Sequence, residues 1–548
     1  LLNLAVIHEA IAEAIPEREC LVVGDRRFTW RETNDRSRRL AAVLREHGLG
    51  CRQERAGLGG SESGQDHVAL YCYNGNEYLE GMLGAFKARC APFNVNYRYV
   101  EEELLYLFDN ADARAVVYHA SFAPTLEAIR PKLSGIRVWL QVADESGNAL
   151  LPGALDYEAA LAAATPEPPV GLSPDDLYIL YTGGTTGMPK GVLWRQEDVY
   201  LAALSMGATP KTLEGVVERV KARAGPRALP TPPFMHGAAH WAAFNMWHVG
   251  GTVVVPRQPR RLDPDDIWST VEREQVQAMT IVGDAFAVPL LDQLAKQDYD
   301  LSSLRQISTG GAILTAGKKS ELVRRIPGLR ILDALGSSES GSQGNQVLTA
   351  GDGEAPAAPS GRFQMAEGNV ILSEDFSRIV APGNPEVGWL ARSGRVPLGY
   401  YKDPEKSAAT FPLIDGVRYS VPGDRCHYFK GEEDGSFALL GRDSMTINSG
   451  GEKIFAEEVE QALKHHPAVY DAVVVGTPSE RWGQQVTAVV QLRKGAAASD
   501  AELREVAAGF VTGYKLPKQI VRVEAITRAP SGKADYRWAR ETAAKTLG

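Results

Sequence analysis

Through the middle of the chain, short β-rich runs of apolar residues each stop at a glycine or a small polar turn. Residues 177–181 precede Gly183, 277–282 precede Gly283, 306–309 precede Gly310, and 329–334 precede Gly336. Stretches with helical periodicity, such as Pro264–Glu274 and residues 318–325, lie between them. The alternation predicts βαβ units around a largely parallel sheet, with ligand sites at the carboxyl ends of the strands. Small residues at those ends let a backbone approach a ligand closely.

After Gly441 the pattern resets. A turn-rich stretch over 443–451 leads to a helix over 456–466, strands over 470–475, 486–492 and 520–525, and a helix over 501–510. These predict a compact α+β module able to fold alone. The expected fold class is therefore α/β, with a large first domain over 1–441 and a small second one over 442–548. Segments 163–172 and 351–360, rich in Pro, Gly or Ala, read as surface loops. No internal repeat is visible.

Composition narrows the function. With 548 residues, 44% hydrophobic and 23% charged, the chain is neither disordered nor collagen-like nor a coiled coil. The 59 Lys plus Arg against 68 Asp plus Glu give a net charge of -9, which offers no global attraction to nucleic acid. Five cysteines are scattered without C-x-x-C spacing, as expected of reduced thiols in a cytoplasm. No apolar stretch approaches the ~18 residues of a membrane span, and residues 1–18 lack a basic segment before an apolar one. The expectation is a cytoplasmic protein without a span. Peripheral membrane contact and oligomeric state, a homodimer included, stay open.

The most informative stretch runs Tyr181-Thr182-Gly183-Gly184-Thr185-Thr186-Gly187-Met188-Pro189-Lys190-Gly191. Threonine hydroxyls, glycine N–H groups and one lysine after a strand are suited to surrounding phosphate oxygens. A Walker A loop is excluded, because Pro189 stands where its second glycine belongs and Gly191, not Ser or Thr, follows Lys190.

Here the sequence resembles the adenylate-forming superfamily of acyl-CoA synthetases, peptide-synthetase adenylation domains and luciferases. Further motifs of that family follow in its order: Pro232-Pro233-Phe234-Met235-His236-Gly237, Gly336-Ser337-Ser338-Glu339, Gly423-Asp424, Gly441-Arg442, Asn448-Ser449-Gly450-Gly451-Glu452-Lys453 and Pro530-Ser531-Gly532-Lys533. The resemblance implies ATP, Mg²⁺ and CoA as co-substrates or cofactors. It places Lys190 and the loop Thr182, Gly183, Gly184, Thr185, Thr186, Gly187 on the β- and γ-phosphates. Glu339, with Thr182, would hold magnesium, and Lys533 would serve the α-phosphate and the substrate carboxylate. Asp424 with Arg442 would hold ribose. Gly310, Gly311, Ala312, Asp333, Ala334, Leu335, Gly336 and Ser338 would line the nucleotide, with Asp333 accepting from the adenine amino group. His236 would border the acyl pocket, and Trp241, Phe244 and Trp247 could either line it or belong to the core. Adjacent Cys426 and His427 point to opposite faces of a strand and read as structural.

The chain departs from the family at four places. Pro422 replaces a threonine, Leu335 an aromatic residue, Met235 the acid that pairs with an amino-acid substrate, and Ser444 the charged residue at the usual pivot between domains. Met235 argues against an amino-acid substrate. Gly450-Gly451, without side chains, would let the pantetheine thiol reach the acyl-adenylate. The wording of the 181–195 and 447–453 segments looks most like actinobacterial synthetases for fatty acids and steroid side-chain acids. The reading is an AMP-forming acid–thiol ligase with a mobile second domain. An acyl-AMP ligase loading a carrier protein is the alternative, and a luciferase-like oxygenase or a non-catalytic acyl-binding relative stands further off.

Overall fold

The structure, a computed structural model, describes residues 2–182, 188–205, 209–349, 361–449, 452–479, 481–529 and 531–547. The first domain is built on two sheets. In one, strands Glu19–Val23, Thr252–Val255, Arg227–Pro230, Ala278–Ile281, Gln306–Gly310 and Arg330–Ser337 lie side by side and parallel. Beyond Arg330–Ser337 the sheet turns antiparallel through Gly341–Leu348, Phe363–Met365, Ser436–Arg442 and Asp424–Tyr428. In the other, Leu177–Thr182 runs parallel to Ala91–Asn94 and antiparallel to Lys190–Arg195, whose far edge pairs with Gly399–Tyr400.

Local chemistry explains the helices between strands. Helix Pro264–Glu274 starts where the Asp263 side chain accepts from Asp266 N, with Pro264 at the first position, and ends at Gln275 in the left-handed conformation. It buries Ile267, Trp268 and Val271 against Val254, Met279 and Ile281, each worth about 1.5–3 kcal/mol of transfer energy.

Two expectations need correction. The strand expected over 329–334 continues to Ser337, carrying Gly336 inside a hairpin. A Cβ there would stand 2.3 Å from Gly341 O, so glycine is what lets the two strands close. The stretch 443–451, read as turn, contains strand Thr446–Ser449, paired with Glu452–Phe455; Asn, Ser and Gly concealed it.

Arg442 closes a strand of the large sheet, a short 3-10 turn spans Asp443–Met445, and the next strand already belongs to the third sheet. That sheet joins Thr446–Ser449, Glu452–Phe455, Gly483–Leu492, Val469–Ser479 and Gln519–Val523. Helices Ala456–Lys464 and Asp500–Ala508 cover a core of Ile447, Ile454, Leu463, Val474 and Leu503. Helix Tyr536–Leu547, which the sequence pattern did not reveal, packs Ala539 and Ala543 on the other side. Lys464–Asp284 at 3.8 Å, Arg493–Asp292 at 3.7 Å and Lys453–Glu374 at 3.5 Å bridge the two domains. Among the described residues, no helix is long and apolar enough to cross a membrane.

Candidate active site

The site forms where the carboxyl ends of the parallel strands meet the edge of the second domain. Register pairing sets Gly310 beside Ala334 and Thr309 beside Asp333. A Cβ on Gly310 would lie 2.6 Å from Ala334 O, so the residue must be glycine for these strands to pair. Leu335 leans on the cluster of Phe363, Ile371 and Phe437, which fixes an apolar wall where the family has an aromatic ring. Ser338 and Glu339 sit on the hairpin turn, held by backbone bonds from distant side chains: Trp194 Nε1 donates to Ser338 O at 2.8 Å and Ser420 Oγ to Glu339 O at 2.6 Å.

Thr182 and Lys190 are register partners at the base of the glycine and threonine loop. Gly183, Gly184, Thr185, Thr186 and Gly187 lie outside the described residues, as do Gly450 and Gly451. The Lys190 ammonium is 2.5 Å from Asp403 Oδ2 and 5.7 Å from the centre of the Tyr400 ring. The Tyr400 hydroxyl donates to Glu339 Oε1 at 3.0 Å. Burial and the Glu339 charge raise the Tyr400 phenol, which therefore stays protonated and a donor.

Asp424 and Arg442 face each other across neighbouring strands, with Arg442 Nε 3.2 Å from Asp424 Oδ1. Asp424 and Glu339 both raise Arg442. The pairing with Arg442 holds the buried Asp424 carboxylate, a hydrogen-bond acceptor, in place.

Lys533 arrives from the second domain. A Cβ on Gly311 would stand 3.4 Å from Lys533 Cε. The loop carrying it docks with Gly532 against Val282 and Phe286. Lys533 is open to solvent yet walled by protein. Lost hydration is the largest influence on its pKa, which falls below the usual lysine value; Arg442 lowers it further, while Glu339 and Asp424 oppose. Burial, then Lys533, push His236 down to about 3, so its imidazole is neutral near pH 7, and its Nε2 is buried without a partner. Lys533, Glu339, Asp424, Arg442 and His236 thus share one electrostatic field although they span nearly 300 residues of sequence.

Asp333 is engaged rather than free: Lys319 Nζ lies 2.5 Å from Asp333 Oδ2, and burial raises that carboxyl. It sits within its strand. Phe244 and Trp247 are core, packed against each other, whereas Trp241 is half-buried and donates to Tyr178 OH at 3.0 Å. Cys426 is buried with Phe437 and Leu390, its thiol raised by burial, which suits a structural role. Asp403, Tyr400 and Lys319 were not singled out in the sequence. Asp403 before Pro404 did carry a helix-start signal, but its partner is over 200 residues away.

Magnesium fits this donor set in one way. Among the described residues, no group of three or more His, Cys, Asp or Glu could hold a metal. With Tyr400 on Oε1, Glu339 offers its second oxygen to a hard ion that draws its other ligands from phosphate and water.

A family model described as AMP-binding enzyme matches residues 8–401, and its C-terminal domain counterpart matches 458–533. The chain belongs to the AMP-binding enzyme family. It is 51% identical over 547 residues to the medium-chain acyl-CoA ligase Mig of Mycobacterium avium, covering 99% of this chain and 98% of that protein. It is 39% identical to the 3-oxocholest-4-en-26-oate–CoA ligase of Rhodococcus rhodochrous, covering 98% and 96% respectively. Its fold matches the anthranilate CoA ligase AuaEII in complex with anthranoyl-AMP, with TM-score 0.81 and 22% identity over 99% of this chain and 98% of that one.

Proposed function

We propose that this AMP-binding enzyme is an ATP-dependent carboxylate–CoA ligase working through an acyl-AMP intermediate, on a fatty acid or a steroid side-chain acid. The observation that carries the reading is Lys533 entering from the second domain to meet Gly311 in the field of Glu339, Asp424 and Arg442.

In the first half-reaction a carboxylate oxygen attacks the α-phosphorus of ATP, and the bond to the bridging oxygen breaks to release pyrophosphate. Lys533, set in the field of Arg442, Glu339 and Asp424, neutralises the two anions that must meet. Lys190 and Thr182 stand at the base of the loop that meets the departing phosphates. Asp424, steadied by Arg442, accepts from the ribose hydroxyls. Magnesium, when bound, neutralises phosphate charge. The neutral His236 ring borders the carboxylate without adding charge.

In the second half-reaction the CoA thiol gives up its proton to solvent, its sulfur attacks the acyl carbon, and the acyl–oxygen bond breaks so that AMP leaves with the bonding pair, giving the thioester. Lys533 must then move away, and we place the pivot at Ser444, in the 3-10 turn between the strand that Arg442 closes and the sheet of the second domain. The medium-chain acyl group and the 3-oxocholest-4-en-26-oate named for the two relatives support the substrate class.

The test is a substrate panel: ATP, magnesium and CoA with carboxylates from acetate to long chains and cholanic acids, read as AMP and thioester formed. Thioester with medium or long acids supports the reading. AMP and acyl-AMP without thioester, converted only when a carrier protein is added, overturns the choice of CoA.

A further inference from the structure

The segment from Gly399 to Asp403 touches both charged groups of opposite sign that flank the triphosphate end of the site. Tyr401 N donates to Gly191 O at 2.8 Å, so this segment lies antiparallel beside the strand that begins with Lys190. Asp403 has two tasks. Its Oδ1 caps helix Pro404–Thr410 by accepting from Lys406 N at 2.9 Å, which fixes the carboxylate, and its Oδ2 takes the Lys190 ammonium. Tyr400 stands between the charges, with Lys190 over its ring face and Glu339 on its hydroxyl. Ser407 Oγ donates to Asp403 O at 2.6 Å and Tyr400 N donates to Ser407 Oγ at 2.8 Å, tying the two residues into one unit.

A flexible lysine over a ring and a carboxylate at that ring's hydroxyl attract each other. Without competing partners they would pair across the nucleotide site, and ATP would have to separate them before binding. We propose that Asp403 and Tyr400 are positioning residues that keep Lys190 and Glu339 apart, so that the cation and the carboxylate are both presented to an incoming nucleoside triphosphate and its metal. This rests on the reading of Lys190 and Glu339 as phosphate and metal groups, and adds the two residues that hold them.

The opposite view, that Asp403 merely competes with phosphate for Lys190, predicts the opposite sign for its removal. Calorimetric titration of the full-length protein with ATP, with and without magnesium, separates the two. For Asp403→Asn we expect ATP affinity without magnesium to fall about fivefold, the size of one partly exposed ion pair. Adding Glu339→Gln to it removes the unwanted partner and returns the affinity toward wild type, and Asp403→Glu retains most of it. Tyr400→Phe raises the magnesium concentration needed for half-maximal ATP binding, with the KM for the carboxylate unchanged. ATP affinity that is unchanged or tighter in Asp403→Asn, or a double variant weaker than the single one, overturns the proposal. If Lys190→Met binds ATP as wild type does, the underlying assignment of Lys190 falls, and the proposal with it.

Discussion

Lys533 and Gly311 come from different domains and meet so closely that a Cβ on the glycine would lie 3.4 Å from the lysine Cε. Gly311 also holds φ at +78°, where a side chain is strained by about 1–2 kcal/mol. Gly311→Val is expected to displace Lys533 and lower acyl-AMP formation at least ~10-fold, while thioester formation from supplied acyl-AMP holds. Pyrophosphate exchange and thioester assays on one preparation check this. Equal loss in both would mean that the glycine serves only the fold.

Lys319 and Asp333 form a pair of which each partner is nearly buried, with side-chain exposures of 8% and 13%. Lys319→Met leaves a buried carboxylate without its cation and is expected to cost about 3 kcal/mol. Asp333→Asn, which keeps the shape and removes the charge, should cost less. Urea unfolding of the two variants compares them, and an equal cost would show that the pair is not what burial makes expensive.

Much of this was legible beforehand. Helix Pro264–Glu274 is bounded by an aspartate cap and a proline, both local signals, and was read to the residue. The candidate site residues stood out through motifs of the family that the sequence resembles, not through local periodicity. Their partners did not. Lys190 with Asp403 and Asp333 with Lys319 depend on which strands and helices lie side by side, which local periodicity does not encode. Thr446–Ser449 was missed because its stability comes from pairing with Glu452–Phe455 rather than from its own propensity.

Glu457 gives the pH dependence a definite sign. Its Oε2 is buried without a partner, and a Cβ on Gly441 would stand 2.5 Å from it. Burial, with Glu460 and Asp424, pushes the carboxyl up from 4.5 to about 8, against the helix-start backbone and Arg442. The folded protein therefore keeps a proton that the unfolded chain loses, and stability falls as pH rises through that window, by at most about 1.4 kcal/mol per unit. Glu457→Gln should flatten this slope. Unfolding free energies at about pH 5.5 and about pH 7.5 test it; an unchanged slope would contradict it.

Ser444 occupies the middle of the 3-10 turn Asp443–Met445, where φ near roughly -60° suits proline. Ser444→Pro is expected to preserve pyrophosphate exchange and to reduce thioester formation at least ~10-fold, because the present orientation accepts proline and the second must change that torsion. Loss of both half-reactions would indicate misfolding, and loss of neither would place the pivot elsewhere.

The central claim is that the second domain delivers Lys533 for acyl-AMP formation and withdraws it for thioester formation. Lys533→Ala, measured in the two half-reactions on one preparation, tests it most directly. The account predicts that acyl-AMP formation falls by about 10² to 10³, the size of one lost charge-stabilising donor, while thioester formation from supplied acyl-AMP stays within about threefold of wild type. Equal loss in both half-reactions, or adenylation that survives, would contradict it.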